Sequence, residues 1–390
     1  MTDRVETLIR ESEGEFTLLR QDLHRHPELG FETHRTAGLV ADKLRQWGYE
    51  VETGVGGPGV VATLKRGSGN RSIGLRADMD ALPMDEASGK AWASEVPGKM
   101  HGCGHDGHTA TLLCAAKALA EAGDFSGTLR LVFQPAEEIA AGARRMIDEG
   151  FHDRFPVDAI YALHNWPGMA VGQFEFLAGP AMASSDTGVI TIRGKGGHGA
   201  SPHKAVDPVL AAASFIMAVQ SVVSRNVDPL DGAVITVGAI HAGTAGSIIP
   251  NEVELMFTLR AYKREVRALL KQRIAEILKC QAESYGCTAT LEIRMSVSPV
   301  INAPDETAFA RQVAEANFGA DAVRTGTPVM GGEDFAAFLE DRPGSYFYVG
   351  NGDSASLHHP RYDFNDAAIV PTAIYWTRLV EAALRSPDAA

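Results

Sequence analysis

The chain has 390 residues, 45% hydrophobic and 22% charged, with 49 acidic against 36 basic side chains and a formal net charge of -13. That length exceeds one ordinary hydrophobic core and predicts two domains, while the composition excludes a largely disordered chain. No run of Lys or Arg is dense enough to track phosphates, so nucleic acid is not an expected partner.

The opening MTDRVETLIRESEGEF lacks the basic start and apolar core of a secretory signal, and no apolar run approaches membrane-spanning length. A cytoplasmic location and no membrane partner are therefore expected. A helical region follows over roughly residues 3 to 48, broken at HRHPELG, where His24 and His26 read as helix termination and packing. Strands are expected at GVVATLK and SIGLRAD, and a helix that follows HGCGHDGH, with Asp106 and Thr109 at its start. His101 and His108 receive no role. The four cysteines form no CxxC pair, which suits a reducing compartment, and Cys114 in TATLLCAAKALAEAG reads as a small core residue.

Next come strand GTLRLVFQP, helix AAGARRMIDEG and strand VDAIYALHN, the alternation of an α/β domain with a largely parallel sheet. The small residues of GPAMASSD, 179 to 186, read as a linker. Beyond it, four strands and two helices in the order strand, helix, strand, strand, helix, strand describe a self-contained α+β unit. The α/β texture then returns with a helix near 305 to 318, strand SYFYVGN and a closing helix. The fold expected is α/β: a mixed, largely parallel sheet with helices on both faces over residues 1–183 and 297–390, plus an inserted α+β two-layer sandwich over 184–296.

In open α/β sheets, functional groups collect at the carboxyl ends of the strands. Asp78 and Asp80, Glu137 and Glu138, His164, and His358 with His359 all follow or end strands, and the HGCGHDGHT loop adds Cys103 and His105. Thiolate, imidazole and carboxylate together suit a borderline divalent ion such as Zn, Mn, Co or Ni, in contrast to Ca or Mg. The set is too large for one tetrahedral ion, whereas two ions ~3.5 to 4 Å apart with a shared ligand would use it. One carboxylate of the Glu137–Glu138 pair can bind metal while its neighbour acts as general base.

RADMDALPMDE, MHGCGHDGHTA, QPAEE, LHNWPG, GKGGHGASPH, GGEDFAAFL and LHHPRYDFND, taken in that order, resemble the aminoacylase and carboxypeptidase family of co-catalytic metallopeptidases. The closest branch is that of the hippurate hydrolases and indole-acetyl-amino-acid hydrolases. The resemblance implies two divalent metal ions per subunit, with Cys103, His105, Glu138, His164 and His358 as ligands and Glu137 as general base. It implies that Asp80 orients a ligand imidazole, and that His198 in the inserted domain stabilises the oxyanion in the active site of the partner subunit, its rival reading being a plain glycine-rich turn. The substrate is implied to be a small N-acyl or N-aroyl amino acid, cleaved to a carboxylic acid and a free amino acid. Arg260 matches a family arginine for the substrate carboxylate, or is a solvated strand-end charge. Ser247 stands where many relatives have an asparagine that helps to hold substrate, and offers shorter reach. Glu333 and Asp334 line the pocket or cap a helix. The inserted domain is expected to mediate a homodimer or homotetramer.

Three rivals remain at this stage. They are a dipeptidase or N-acetyl-diaminopimelate-type deacetylase on the same scaffold, a hydrolase with Cys103 as nucleophile, and a metal-containing binding protein.

Overall fold

The computed structural model describes residues 3–385. It begins with a capped helix: the Asp3 side chain accepts the Val5 N–H at 2.9 Å and starts α1 (Arg4–Glu11). Helices α2 (Glu13–Arg25) and α3 (His34–Gln46) follow, and His26 closes α2 with Nδ1 2.8 Å from Asp22 O. The next elements are β1 (Glu50–Thr53), β2 (Val60–Arg66), β3 (Ser72–Asp78), α4 (His105–Ala122), β4 (Gly127–Gln134), α5 (Gly142–Asp148), α6 (Phe151–Arg154), β5 (Ala159–Trp166) and β6 (Phe174–Phe176).

After these come β7 (Gly179–Met182), β8 (Ser185–Arg193), β9 (Gly197–His198), α7 (Pro208–Arg225), β10 (Ala233–Ala242), β11 (Ile248–Ile249), β12 (Glu252–Ala261), α8 (Arg264–Ser284) and β13 (Thr288–Val297). The chain closes with β14 (Val300–Asn302), α9 (Pro304–Phe318), β15 (Val323–Thr325), β16 (Gly344–Gly350) and α10 (Ile369–Ala383).

Two units result. The first holds the chain up to Gly179, Ile301–Thr327 and everything from Asp334. Its eight-stranded sheet runs β1-β2-β4-β3-β5-β16-β6-β15. The central β4, β3, β5 and β16 are mutually parallel, while β1 and β2 pair antiparallel at one edge and β6 runs antiparallel to β16. β16 is buried along its whole length and β5 nearly so, the mark of strands covered on both faces. α4 packs Leu112, Leu113, Cys114, Ala115 and Leu119 into this core. The parallel strands bring their carboxyl ends, and the loops after them, to one edge.

The second unit is Pro180–Val300 with Pro328–Glu333. Its antiparallel sheet, β10-β12-β8-β13, is packed by α7 and α8. β12 buries Val253, Leu255, Phe257, Leu259 and Ala261 at period two, and α8 buries Val266, Leu270, Ile274, Leu278 and Ala282 at period four. The 328–333 segment, read from sequence as part of the large domain, groups here because Val329 exchanges backbone hydrogen bonds with Ala181 and Ala183 at 3.0 and 3.1 Å.

Three sequence expectations are corrected. The 179–186 stretch is no linker: it forms β7 and the start of β8, and Ala181 to Asp186 are all buried. Small residues here serve close packing. α4 begins at His105 itself, because Gly104 takes φ 91° and turns the chain into the helix. α7 is long and apolar enough to cross a membrane by length and composition, contrary to the expectation, and its Ala211, Ala212, Phe215, Val219 and Val222 join the second unit's core.

Candidate metal centre

Four segments at the sheet edge carry the site. Cys103 and His105 lie at the start of α4, buried; His164 is near the end of strand β5; Glu137 and Glu138 follow β4; His358 follows β16. Cys103 Sγ stands 3.3 Å from His164 Nε2, whose ring turns its Nδ1 to Asn165 O at 2.7 Å. That contact leaves Nε2, on the Cys103 side, as the candidate donor nitrogen. His358 donates its backbone N–H to Gly102 O at 2.8 Å, which joins its loop to that of Cys103.

The donor atoms of Cys103, His105 and His164 lie within 4.8 Å of one another, and so do those of Cys103, Glu138 and His358. Cys103 is common to both trios. Both ring nitrogens of His105 and Oε1 of Glu138 are buried without a hydrogen-bond partner, a costly arrangement unless a cation satisfies them. A buried donor set of thiolate, imidazole and carboxylate therefore fits divalent ions at this place.

The charges agree. Burial pushes the Glu138 carboxyl up to about 7, with Asp80 and Asp78 adding to it against the pull of His105. Burial works to lower His105, but the Asp78 charge, with Asp80 and Glu138, lifts it to about 10. Burial drives His164 well below the ordinary imidazole value, and it lowers His358 as well. Asp78, Asp80 and Glu138 crowd this buried edge and together raise His105, which is the electrostatic form of a cation site.

Asp80 holds the glutamate pair by the backbone: Oδ1 accepts the Glu137 N–H at 2.9 Å and Oδ2 the Glu138 N–H at 3.1 Å. It also stands 3.6 Å from His105 Nδ1. Among the described residues the non-glycine positions with positive φ are Ala136, Ala140 and His358, at 57°, 55° and 62°. Two flank the glutamates and the third is itself a candidate ligand, so backbone strain collects where side chains must be aimed.

Sequence reasoning missed His108, and it placed Asp78 at the strand end without a role. His108 Nδ1 lies 2.6 Å from Asp78 Oδ1 and its Nε2 2.6 Å from Asn165 Oδ1. The i, i+3 spacing from His105 at a helix start was the available signal, since it stacks the two rings with centroids 5.4 Å apart. Asp334 accepts the Ala143 N–H at 2.9 Å at the start of α5, a helix-capping contact.

His198, Ser247 and Arg260 belong to the second unit. His198 is exposed on β9, pairs with Ile248 of β11, and turns Nδ1 to the Ala200 N–H at 3.0 Å. The Ser247 carbonyl accepts the Gly199 N–H at 2.8 Å, so these two candidates share one short ribbon. Arg260 lies apart on β12, half-buried, and burial lowers its pKa against the pull of Asp186.

The family model described as peptidase family M20/M25/M40 matches residues 74–382. Hippurate hydrolase from Campylobacter jejuni is 42% identical over 376 residues, covering 95% of this chain and 97% of that protein. N-acetyl-L-cysteine deacetylase from Bacillus subtilis is 38% identical, covering 95% and 88%. The crystal structure of the Bacillus subtilis YXEP protein, described as a dinuclear metal binding peptidase of the M20 family, superposes with a TM-score of 0.84 at 31% identity, covering 97% and 99%.

Proposed function

We propose, from the premise that the chain belongs to peptidase family M20/M25/M40 and is one of its dinuclear-metal amidohydrolases, that it hydrolyses N-acyl and N-aroyl amino acids to a carboxylic acid and a free amino acid. The observation that carries this reading is the pair of donor trios sharing Cys103, with Glu137 beside them. The names of the two enzymes similar to this chain support the substrate class, one an aroyl and the other an acetyl amino acid.

Cys103, His105, Glu138, His164 and His358 would hold two ions, Zn, Mn, Co or Ni. Bound there, the ions would polarise the scissile carbonyl and make a water nucleophilic near neutral pH. Glu137, kept at the edge by Asp80, takes a proton from that water and delivers it to the leaving nitrogen as the C–N bond breaks. His198 stabilises the oxyanion, Arg260 pairs with the substrate carboxylate, and Ser247 donates one hydrogen bond to the substrate.

The chain acts as a homodimer through its second unit. Among the described residues β10 is an edge strand with one side of its ladder unpaired, α7 packs beside it, and Met217, Leu210 and Ile240 there are 76%, 57% and 56% exposed. A twofold-related copy offers the same strand edge and helix in return. Light scattering on the parent and on a Met217→Glu, Ile240→Lys variant checks this, with a dimer expected to become a monomer.

The test of the chemistry is Glu137→Gln assayed on hippurate, N-acetyl amino acids and dipeptides. The variant is expected to bind metal as the parent does and to lose at least roughly 100-fold in kcat. Unchanged turnover would remove Glu137 from the mechanism, and preference for dipeptides would favour a peptidase. The 3.3 Å approach of Cys103 to His164 also permits a thiol nucleophile, which full activity after EDTA treatment would favour.

A further inference from the structure

Arg76 lies on β3 and is fully buried, an expensive place for a guanidinium unless every donor has a purpose. Its Nη1 donates to Asp78 Oδ2 at 2.7 Å, its Nε to Gln134 Oε1 at 2.9 Å, and its Nη2 to Asp334 Oδ1 at 3.3 Å. Asp334 is itself fixed, by Gln134 Nε2 at 2.7 Å and the Ala143 N–H at 2.9 Å. One side chain thus ties the ends of β3 and β4, the start of α5 and the segment entering from Glu333.

Asp78 is the member that matters for the metal centre. Its Oδ2 stands 3.6 Å from His105 Nε2, and its Oδ1 lies 2.6 Å from His108 Nδ1. Asp78, His105 and His108 also place donor atoms within 4.8 Å of one another, and all three are buried. A free carboxylate here would be drawn to any ion held by His105. Arg76 takes one of its oxygens and His108 the other, so the carboxylate props the two imidazoles and stays out of the ligand set.

We propose that Arg76 is a positioning residue for the metal centre: by holding Asp78 it fixes the orientation of His105 and His108 and decides which donors an ion meets. The inference rests on the metal reading of Cys103, His105, Glu138, His164 and His358. Its logic is that of outer-shell partners in general, whose loss typically lowers metal affinity by roughly 10- to 100-fold. Lysine supplies the charge but cannot fork to Asp78, Gln134 and Asp334 at once, so charge and geometry are separable.

The experiment titrates metal-free parent, Arg76→Met, Arg76→Lys, Asp78→Asn and the Arg76→Lys, Asp78→Asn double variant with Co2+. Affinity comes from calorimetry and ligand geometry from the visible cobalt spectrum. Arg76→Met is expected to lose at least tenfold in affinity with a shifted spectrum, and Arg76→Lys to recover part of both. The double variant is expected to bind no more weakly than Asp78→Asn alone, because Arg76 acts through Asp78.

Parent-like affinity and spectrum in Arg76→Met overturn the proposal, as do multiplicative losses in the double variant. Should Arg76→Met fail to fold, the lysine and asparagine variants decide alone by the same comparison. Failure of the parent to bind cobalt overturns the metal reading and this proposal with it, whereas a binding parent with indifferent variants overturns only the role of Arg76.

Discussion

His24 and His101 lie side by side, ring centroids 6.1 Å apart, and differ in what burial does to them. His101 has no partner on either nitrogen, and burial pushes it down to about 3. Burial also works to lower His24, but Asp106 at 2.8 Å and Glu86 at 3.2 Å override it and raise it to about 9. Because its folded value lies above the ordinary 6.5, the proton on His24 contributes stability in full below pH 6.5. That contribution fades as pH rises and is gone above about 9. It is worth about 3 kcal/mol. Urea unfolding of the parent and of His24→Gln at pH 6 and pH 9.5 checks it: the gap in stability should narrow by about that amount. A gap that stays constant with pH would rule out a charged His24. The sequence offered two histidines in HRHP and no way to tell them apart. His26 does end its helix, as expected, but the partner that makes His24 an ion is 82 residues away.

At the scale of elements, the start of α4 decides whether the ligands meet. Gly104 takes φ 91°, and a Cβ there would fall 2.5 Å from both Asn165 Oδ1 and Tyr362 Oη. Ala at this position costs about 1 kcal/mol for the left-handed backbone. Crowding adds roughly 1–3 kcal/mol. Gly104→Ala is therefore expected to lose roughly 2–4 kcal/mol in denaturant unfolding and to bind metal more weakly, since Cys103 and His105 flank the glycine. A loss below about 1 kcal/mol would show that Tyr362 and Asn165 give way. This geometry also marks the limit of legibility. Strands such as β5 and β16 were readable because their apolar runs have one explanation, and the placement of ligands at strand ends followed from the parallel order. The first turn of α4 was not readable: its polar HDGH has no helical apolar stripe, and the helix there is set by Gly104 and by Thr109 Oγ1 donating to Asp78 O at 2.9 Å. The small residues 179–186 misled for the opposite reason, since close packing and a flexible linker favour the same residue types.

Over the whole molecule, the candidate ligands fall in one unit, and a different buried charge, Asp186, organises the other. Asp186 is fully buried and accepts from Arg267 at 2.8 and 2.9 Å and from Ser296 at 2.6 Å, with Lys271 Nζ 2.7 Å away. Burial pushes its carboxyl up, but Arg267 and Lys271 hold it below the usual range, so its stabilisation is present at neutral pH and lost as pH falls through the acidic range. Asp186→Asn leaves two cations without their buried partner and should cost about 3 kcal/mol. Metal acts elsewhere: at free concentrations near 1,000 times Kd it should stabilise by about 4 kcal/mol. Hydrogen exchange read peptide by peptide separates the two. EDTA is expected to raise exchange around 101–109, 135–142, 163–166 and 356–360, and Asp186→Asn to raise it in β8, α8 and β13. If chelation instead loosened 185–297 as much as the Cys103 loop, the ligands could not all reside where the first unit holds them.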